Sequence, residues 1–244
     1  MLRSIRVGFK TGISCLLALV VVGVLDSPGA FAQQRLNFHV GGFFPRGHQD
    51  TSGLITGREP DDVIQANSEF LTFNLKDFNT PSYGVEYLVG LGDRFEAGLG
   101  IGFQSRSVPS VYTFEINSNG NEIEQELRLR VIPATATIRF LPLGNDSVTP
   151  YIGAGVGVFN WRYSETGEFL ATDRSIFRDS FIASGSQAGL VVLGGVRVPL
   201  GNWGIGGEVR YQKAKANLPA DQEFFGSVID LGGISGLFTV NVRF

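Results

Sequence analysis

Residues 95–106 alternate without a break: Phe95, Ala97, Leu99, Ile101 and Phe103 are apolar, while Glu96, Gly98, Gly100, Gly102, Gln104 and Arg106 between them are small or polar. A helix repeats its apolar positions every three or four residues, whereas a period of two places one whole set on each face of a strand. Residues 203–212 and 234–244 read the same way, and 36–44, 82–91, 128–141, 151–162 and 187–200 follow with less regularity, giving eight strands. Within 128–141 the apolar parity switches, from Leu127, Leu129 and Val131 to Ala134, Ala136, Ile138 and Phe140. A β-bulge at Pro133 is the expected cause.

The N-terminus reads differently. Arg3, Arg6 and Lys10 precede an apolar run over 13–25, which ends before Ala30-Phe31-Ala32. This is the pattern of a secretory signal cleaved ahead of Gln33. The run is shorter than the ~20 apolar residues of a spanning helix. It contains Cys15, the single cysteine, so the mature chain is expected to carry no disulfide. The expected organisation is a cleaved signal over 1–32 and one domain over 33–244.

In that domain the connections alternate in length. Residues 92–94, 142–150 and 201–202 are short; 45–81, 107–127, 163–186 and 213–230 are long and polar. No later segment approaches ~18 consecutive apolar residues. Short turns at one end and long loops at the other fit a closed transmembrane barrel, with the short turns periplasmic and the long loops extracellular. A soluble sandwich has no reason to segregate its loops. The fold expected is all-β: an eight-stranded antiparallel up-and-down transmembrane β-barrel. Strands of ~9–11 residues leave no room for sixteen. Ten or twelve stay open if a loop hides a hairpin, with residues 69–75 (EFLTFNL) the best candidate.

Charges on barrel strands cannot face lipid without cost. Glu86, Glu96, Arg106, Arg139, Arg197, Glu208, Arg210 and Arg243 are therefore expected to fill the lumen as an ion-pair network, Glu96 pairing with Arg139. Arg128, Arg130 and Arg162 are further strand charges, and most of the strand charges are expected to face inward on the same argument. Eight strands leave an interior just wide enough for side chains, which favours a plug over a selectivity constriction. Phe95, Phe140, Trp203 and Phe244 near the short turns, with Phe103 and Tyr211 near the loops, suit two interfacial girdles. The glycines at 98, 100, 102 and at 153, 155, 157 are spaced by two within strands, unlike a nucleotide loop, which turns into a helix. Two histidines, His39 and His48, and one cysteine leave no spacing for a metal site or a recognisable nucleophile. No catalytic residue, cofactor or metal is expected, and the acidic net charge of −3 gives no reason to expect nucleic acid.

The run from Pro150 to Val158 (PYIGAGVGV), the preceding IPATATIRF over 132–140 and the closing LFTVNVRF over 237–244 resemble small outer-membrane barrels of the OmpA/OmpW/OmpX type. That resemblance implies the outer membrane of a diderm bacterium. It also implies an assembly signal in Phe238, Val240, Val242 and Phe244, read by the barrel-assembly machinery. Surrounding lipid and lipopolysaccharide are the further expected partners, and a monomer is expected. Members of the group differ in function. Since the chain stops at Phe244, no cell-wall-binding domain like the one following the OmpA barrel is expected. The leading functional reading is a non-enzymatic structural or surface-interaction barrel. The alternatives are a narrow passive channel for small solutes, apolar ones included, and a lipid A-modifying enzyme.

Overall fold

The computed structural model describes residues 33–46, 61–144, 148–221 and 224–244; the expected signal segment and His48 lie outside the described residues. Eight strands form the wall: β1 Gln34–Pro45, β2 Thr80–Gly90, β3 Phe95–Ile116, β4 Glu122–Phe140, β5 Thr149–Leu170, β6 Ile176–Leu200, β7 Trp203–Lys213 and, last in the chain, β10 Gly233–Arg243. Each pairs antiparallel with its sequence neighbour in the wall. β10 closes on β1, in register from Arg35↔Arg243 to Pro45↔Gly233. Closure leaves no edge, the condition for a sheet to sit in hydrocarbon. Two short strands, β8 Lys215–Asn217 and β9 Val228–Asp230, pair apart from the wall in the last long connection. The first long connection carries a one-turn helix, α1 Val63–Asn67, and a 3-10 turn over Leu75–Phe78. Residues 69–75 add no hairpin to the barrel: Leu71 makes only an isolated bridge to Tyr112. Gly92 and Gly201 hold positive φ in the tight turns at the opposite end.

Two of the expected long loops are strand for most of their length. β3 and β4 run on to a turn over 117–121, and β5 and β6 to a turn over 171–175. From Asn160 to Leu170 alone, β5 extends about 34 Å along its axis. The bulge expected at Pro133 is absent. β4 keeps one register with β3 on both sides of the proline, Ile101↔Ala134 and Gln104↔Val131, and buries every odd residue from Ile123 to Arg139. The one register shift with β3 lies instead between Val111 and Ile116. The parity change therefore marks a change of environment. Below Pro133 the outward residues are apolar and the inward ones polar; above it the polarity is exchanged.

This exchange runs around the barrel. In the lower part the outward faces are Phe38, Val40 and Phe44 on β1, Phe95 to Phe103 on β3, Ile152 to Val158 on β5 and Trp203 to Tyr211 on β7, among others. Five outward residues per strand span about 27 Å along it, which at a ~40° tilt stands about 21 Å tall, close to the ~25 Å apolar band of a membrane barrel. Phe95 and Phe140, whose rings are 5.3 Å apart, lie at the lower edge with Trp203 and Phe244; Phe103 and Tyr211 lie at the upper edge. In the upper part most inward residues are apolar. Val108, Leu127, Leu129, Val131, Phe159, Trp161 and Tyr163 meet Val63, Ile64, Leu71 and Phe78 from the first connection and Ala214, Ala216, Leu218, Ile229 and Leu231 from the last. The barrel thus rises out of its apolar belt with a polar outer face and an apolar core.

Candidate functional site

The lower lumen is filled by seven buried charged side chains from six strands. Arg139 on β4 pairs with Glu86 on β2, and its Nη2 lies 3.0 Å from Glu208 Oε2 on β7. Arg210 reaches the same two carboxylates, at 2.7 Å to Glu208 and 3.4 Å to Glu86. Thr137 Oγ1 donates to Glu86 at 3.0 Å, Tyr151 OH donates to Glu208 at 3.0 Å, and the Arg139 guanidinium lies 4.8 Å from the Tyr151 ring centre. Nearer the short turns, Glu96 pairs with Arg35 and, at 2.8 Å, with Arg197. The glycine runs make room for this network. A Cβ on Gly98 would sit 2.7 Å from both Glu86 Oε1 and Thr137 Oγ1, and one on Gly155 would meet the Ala136 carbonyl oxygen at 2.0 Å.

Six of the eight expected network residues are buried here: Glu86, Glu96, Arg139, Arg197, Glu208 and Arg210. The expected Glu96–Arg139 pair is not formed, although the two face each other in the β3/β4 register. Their side chains project across a lumen narrow enough for each to meet charges on more distant strands. Arg106 and Arg243 are exposed. Arg106 lies above the belt, its Nε donating to the Asp77 carbonyl at 2.8 Å, and Arg243 lies at the short-turn rim. Arg128, Arg130 and Arg162 face outward, above the apolar belt, where an exposed charge does not sit in hydrocarbon. Arg35 is the network residue that the sequence reading missed. Its signal was the alternation of Arg35, Asn37 and His39 with Leu36, Phe38 and Val40, one residue before the expected start of β1. Phe238, Val240, Val242 and Phe244 lie along the outward face at the end of β10.

His39 is buried in the lumen above the network. Its Nδ1, like Gln104 Oε1 and Thr135 Oγ1, has no hydrogen-bond partner among the described residues. These three side chains line a cavity of about 20 Å³, enough for one water. Above it the plug begins. Asp62 caps α1, accepting from Ile64 N at 3.0 Å and Gln65 N at 3.2 Å, and its second oxygen accepts from Asp230 N at 2.7 Å, tying α1 to β9. Asn67 Nδ2 donates to Glu165 Oε1 at 2.6 Å and to Tyr163 OH at 3.1 Å, fastening the helix to the β5 wall. Burial pushes the Glu165 carboxyl above the usual carboxylate range, against the hydrogen bonds from Asn67 and Tyr163; burial likewise raises Asp62. At the top of β1, Arg46 joins Asp230 at 3.0 Å.

The three carboxylates of the lower network, Glu86, Glu96 and Glu208, are each engaged by arginine. Among the described residues, no three His, Cys, Asp or Glu side chains are grouped to hold a metal. No family model and no curated protein matches the chain. Solved structures do. Neisserial surface protein A is similar at 12% identity over 87% of this chain and 97% of that one, with a TM-score of 0.47. Ail, the attachment invasion locus protein of Yersinia pestis, is similar at 12% over 87% and 99%, with a TM-score of 0.42. The N-terminal β-barrel domain of Pseudomonas aeruginosa OprF is similar at 12% over 87% and 99%, with a TM-score of 0.38.

Proposed function

We propose that this chain is an outer-membrane barrel with a sealed lumen that works through the surface it presents outside the cell, as a structural or surface-interaction protein and not as a channel or an enzyme. The observation that carries this reading is the double filling of the lumen: a buried Arg/Glu network within the belt and an apolar plug above it. The apolar belt on a closed wall and the export signal expected over 1–32 support the location. Surrounding lipid, lipopolysaccharide and the assembly machinery are its partners, the last through Phe238 to Phe244. The deciding experiment is single-channel recording of the refolded protein in planar bilayers. No resolved conductance steps are expected; reproducible steps from the wild-type chain would sink the sealed-lumen reading. Normal outer-membrane levels of a chain lacking Phe244 would refute the assembly role alone.

A further inference from the structure

The outward face of β4 and β5 carries a feature that a sealed surface barrel does not require. Going up β4, the outward residues are Phe140, Ile138, Ala136, Ala134 and Ile132, then Arg130 and Arg128, then Glu126, Glu124 and Glu122. On β5 they are Ile152, Ala154, Val156 and Val158, then Asn160, Arg162 and Ser164. In register, Arg130 faces Arg162 directly and Arg128 faces Ser164. Like charges directly opposite on antiparallel strands are destabilising. Arg128, Arg130 and Arg162 are all exposed, and none forms an ion pair with an acid among the described residues. Together with Ser164 they line a surface cleft of about 200 Å³. Three guanidinium forks converging on such a cleft are suited to a phosphate group, which they can grip through paired N–H donors.

Height selects the source of the phosphate. Arg130 is the first outward residue above Ile132, one step of about 7 Å along the strand from the apolar belt. That step places the cleft at the level of lipid headgroups. Directly beneath it, Ala134 and Ala136 form a low strip between Leu99 and Ile101 on β3 and Val156 and Val158 on β5, their register neighbours on either side. A chain lying in that strip would lead its headgroup up into the cleft. A free anion would make no use of the strip. The carboxylates of Glu122, Glu124 and Glu126 stand on the solvent side and repel anions arriving from above.

We infer that Arg128, Arg130, Arg162 and Ser164 form a binding site for the phosphate of a membrane lipid in the leaflet facing the long loops, with an acyl chain of that lipid in the Ala134/Ala136 strip. The inference rests on the reading that the barrel sits in a membrane, but not on the lumen being sealed.

The test is native mass spectrometry of the full chain refolded in a neutral detergent, titrated with phosphatidic acid and, separately, with phosphatidylcholine. The wild-type protein is expected to retain phosphatidic acid at concentrations at least about tenfold lower than the R128Q/R130Q/R162Q variant, the loss expected for charge-assisted hydrogen bonds. Phosphatidylcholine retention should be low and the same for both. Arg162→Gln alone, expected to give a smaller loss, serves if the triple variant does not refold. Ala134→Phe fills the strip and should weaken phosphatidic acid while leaving inorganic pyrophosphate binding unchanged. Equal retention of phosphatidic acid by wild type and the arginine variants would overturn the site. Pyrophosphate displacing the lipid at equal concentration, or Ala134→Phe having no effect, would overturn the lipid assignment in favour of a free anion. Conductance recorded on the same samples separates the two readings, because a conducting wild type that still retains the lipid refutes only the sealed lumen.

Discussion

The two halves of this barrel use one wall and opposite chemistry. Below Pro133 the sheet is apolar outside and ionic inside; above it the sheet is polar outside and apolar inside, although β4 and β5 run through both without a change of register. Solvent is the cause. In hydrocarbon the outer face must be apolar, and a lumen too narrow for bulk water is filled by polar groups that satisfy one another. Above the headgroups water bathes the outer face, and the interior is stabilised as in a soluble protein, by removing apolar surface from water. The lower half is thus specified by pairing, where each group depends on its partner, and the upper half by packing, where contributions are spread over many contacts.

The largest expected effect comes from removing one charge of the network. Arg139→Met leaves Glu86 and Glu208, both almost fully buried, each short of a partner, at a cost of about 3–5 kcal/mol. Urea titration of the protein refolded in lipid vesicles should show the whole barrel unfolding at a lower midpoint. An unchanged midpoint would mean that the pairs contribute nothing. Leu127→Ala, in the upper core, should cost about 2–5 kcal/mol, but locally: hydrogen exchange should rise in β3 to β6 above Pro133 while the belt stays protected. If exchange rises equally in the belt, the halves form one cooperative unit and do not unfold separately.

Smaller effects probe the plug. Asp62→Ala removes the α1 cap and the tie to Asp230 N, costing about 1–2 kcal/mol, and should speed proteolysis of residues 61–78 without moving the urea midpoint. The Glu165 carboxyl is raised by burial. Folding therefore favours its protonated form: the stabilisation is complete below the ordinary carboxylate range and is lost as pH rises through the raised value. Protection of the plug from protease should fall over that window, and Glu165→Gln, which still accepts from Asn67 and Tyr163, should diminish the step and leave Asp62, shifted in the same direction, to supply the remainder. A variant with an undiminished step would assign the pH dependence elsewhere. Least of all, Arg178→Ala breaks an exposed pair with Glu168 and should change stability by less than about 0.5 kcal/mol.

Much of this was legible in the chain. Period-two alternation over 95–106, 203–212 and 234–244, with the segregation of connections, was enough for eight strands and a closed barrel, because a membrane wall must alternate and leave no edge. The extended hairpins were legible too: in 122–131 Ile123, Leu127, Leu129 and Val131 alternate with Glu122, Glu124, Glu126, Arg128 and Arg130. They read as loop because polarity stood in for location, and above the membrane the same alternation has the opposite sense. That inversion also explains why Arg128, Arg130 and Arg162, strand charges like those of the lumen, face out.

What the sequence determined by itself was which residues alternate, and so which side chains share a face. Alternation is a property of the backbone pleat, which each strand carries alone. Which face is inside, and who pairs with whom, was decided only by the tertiary structure. Glu96 and Arg139 are register neighbours but take other partners, Arg35 completes a cluster across the lumen, and α1 seats Asn67 on Glu165. These contacts join residues tens of positions apart through a closed interior, and their geometry exists only once β10 has met β1 and fixed how far each side chain must reach.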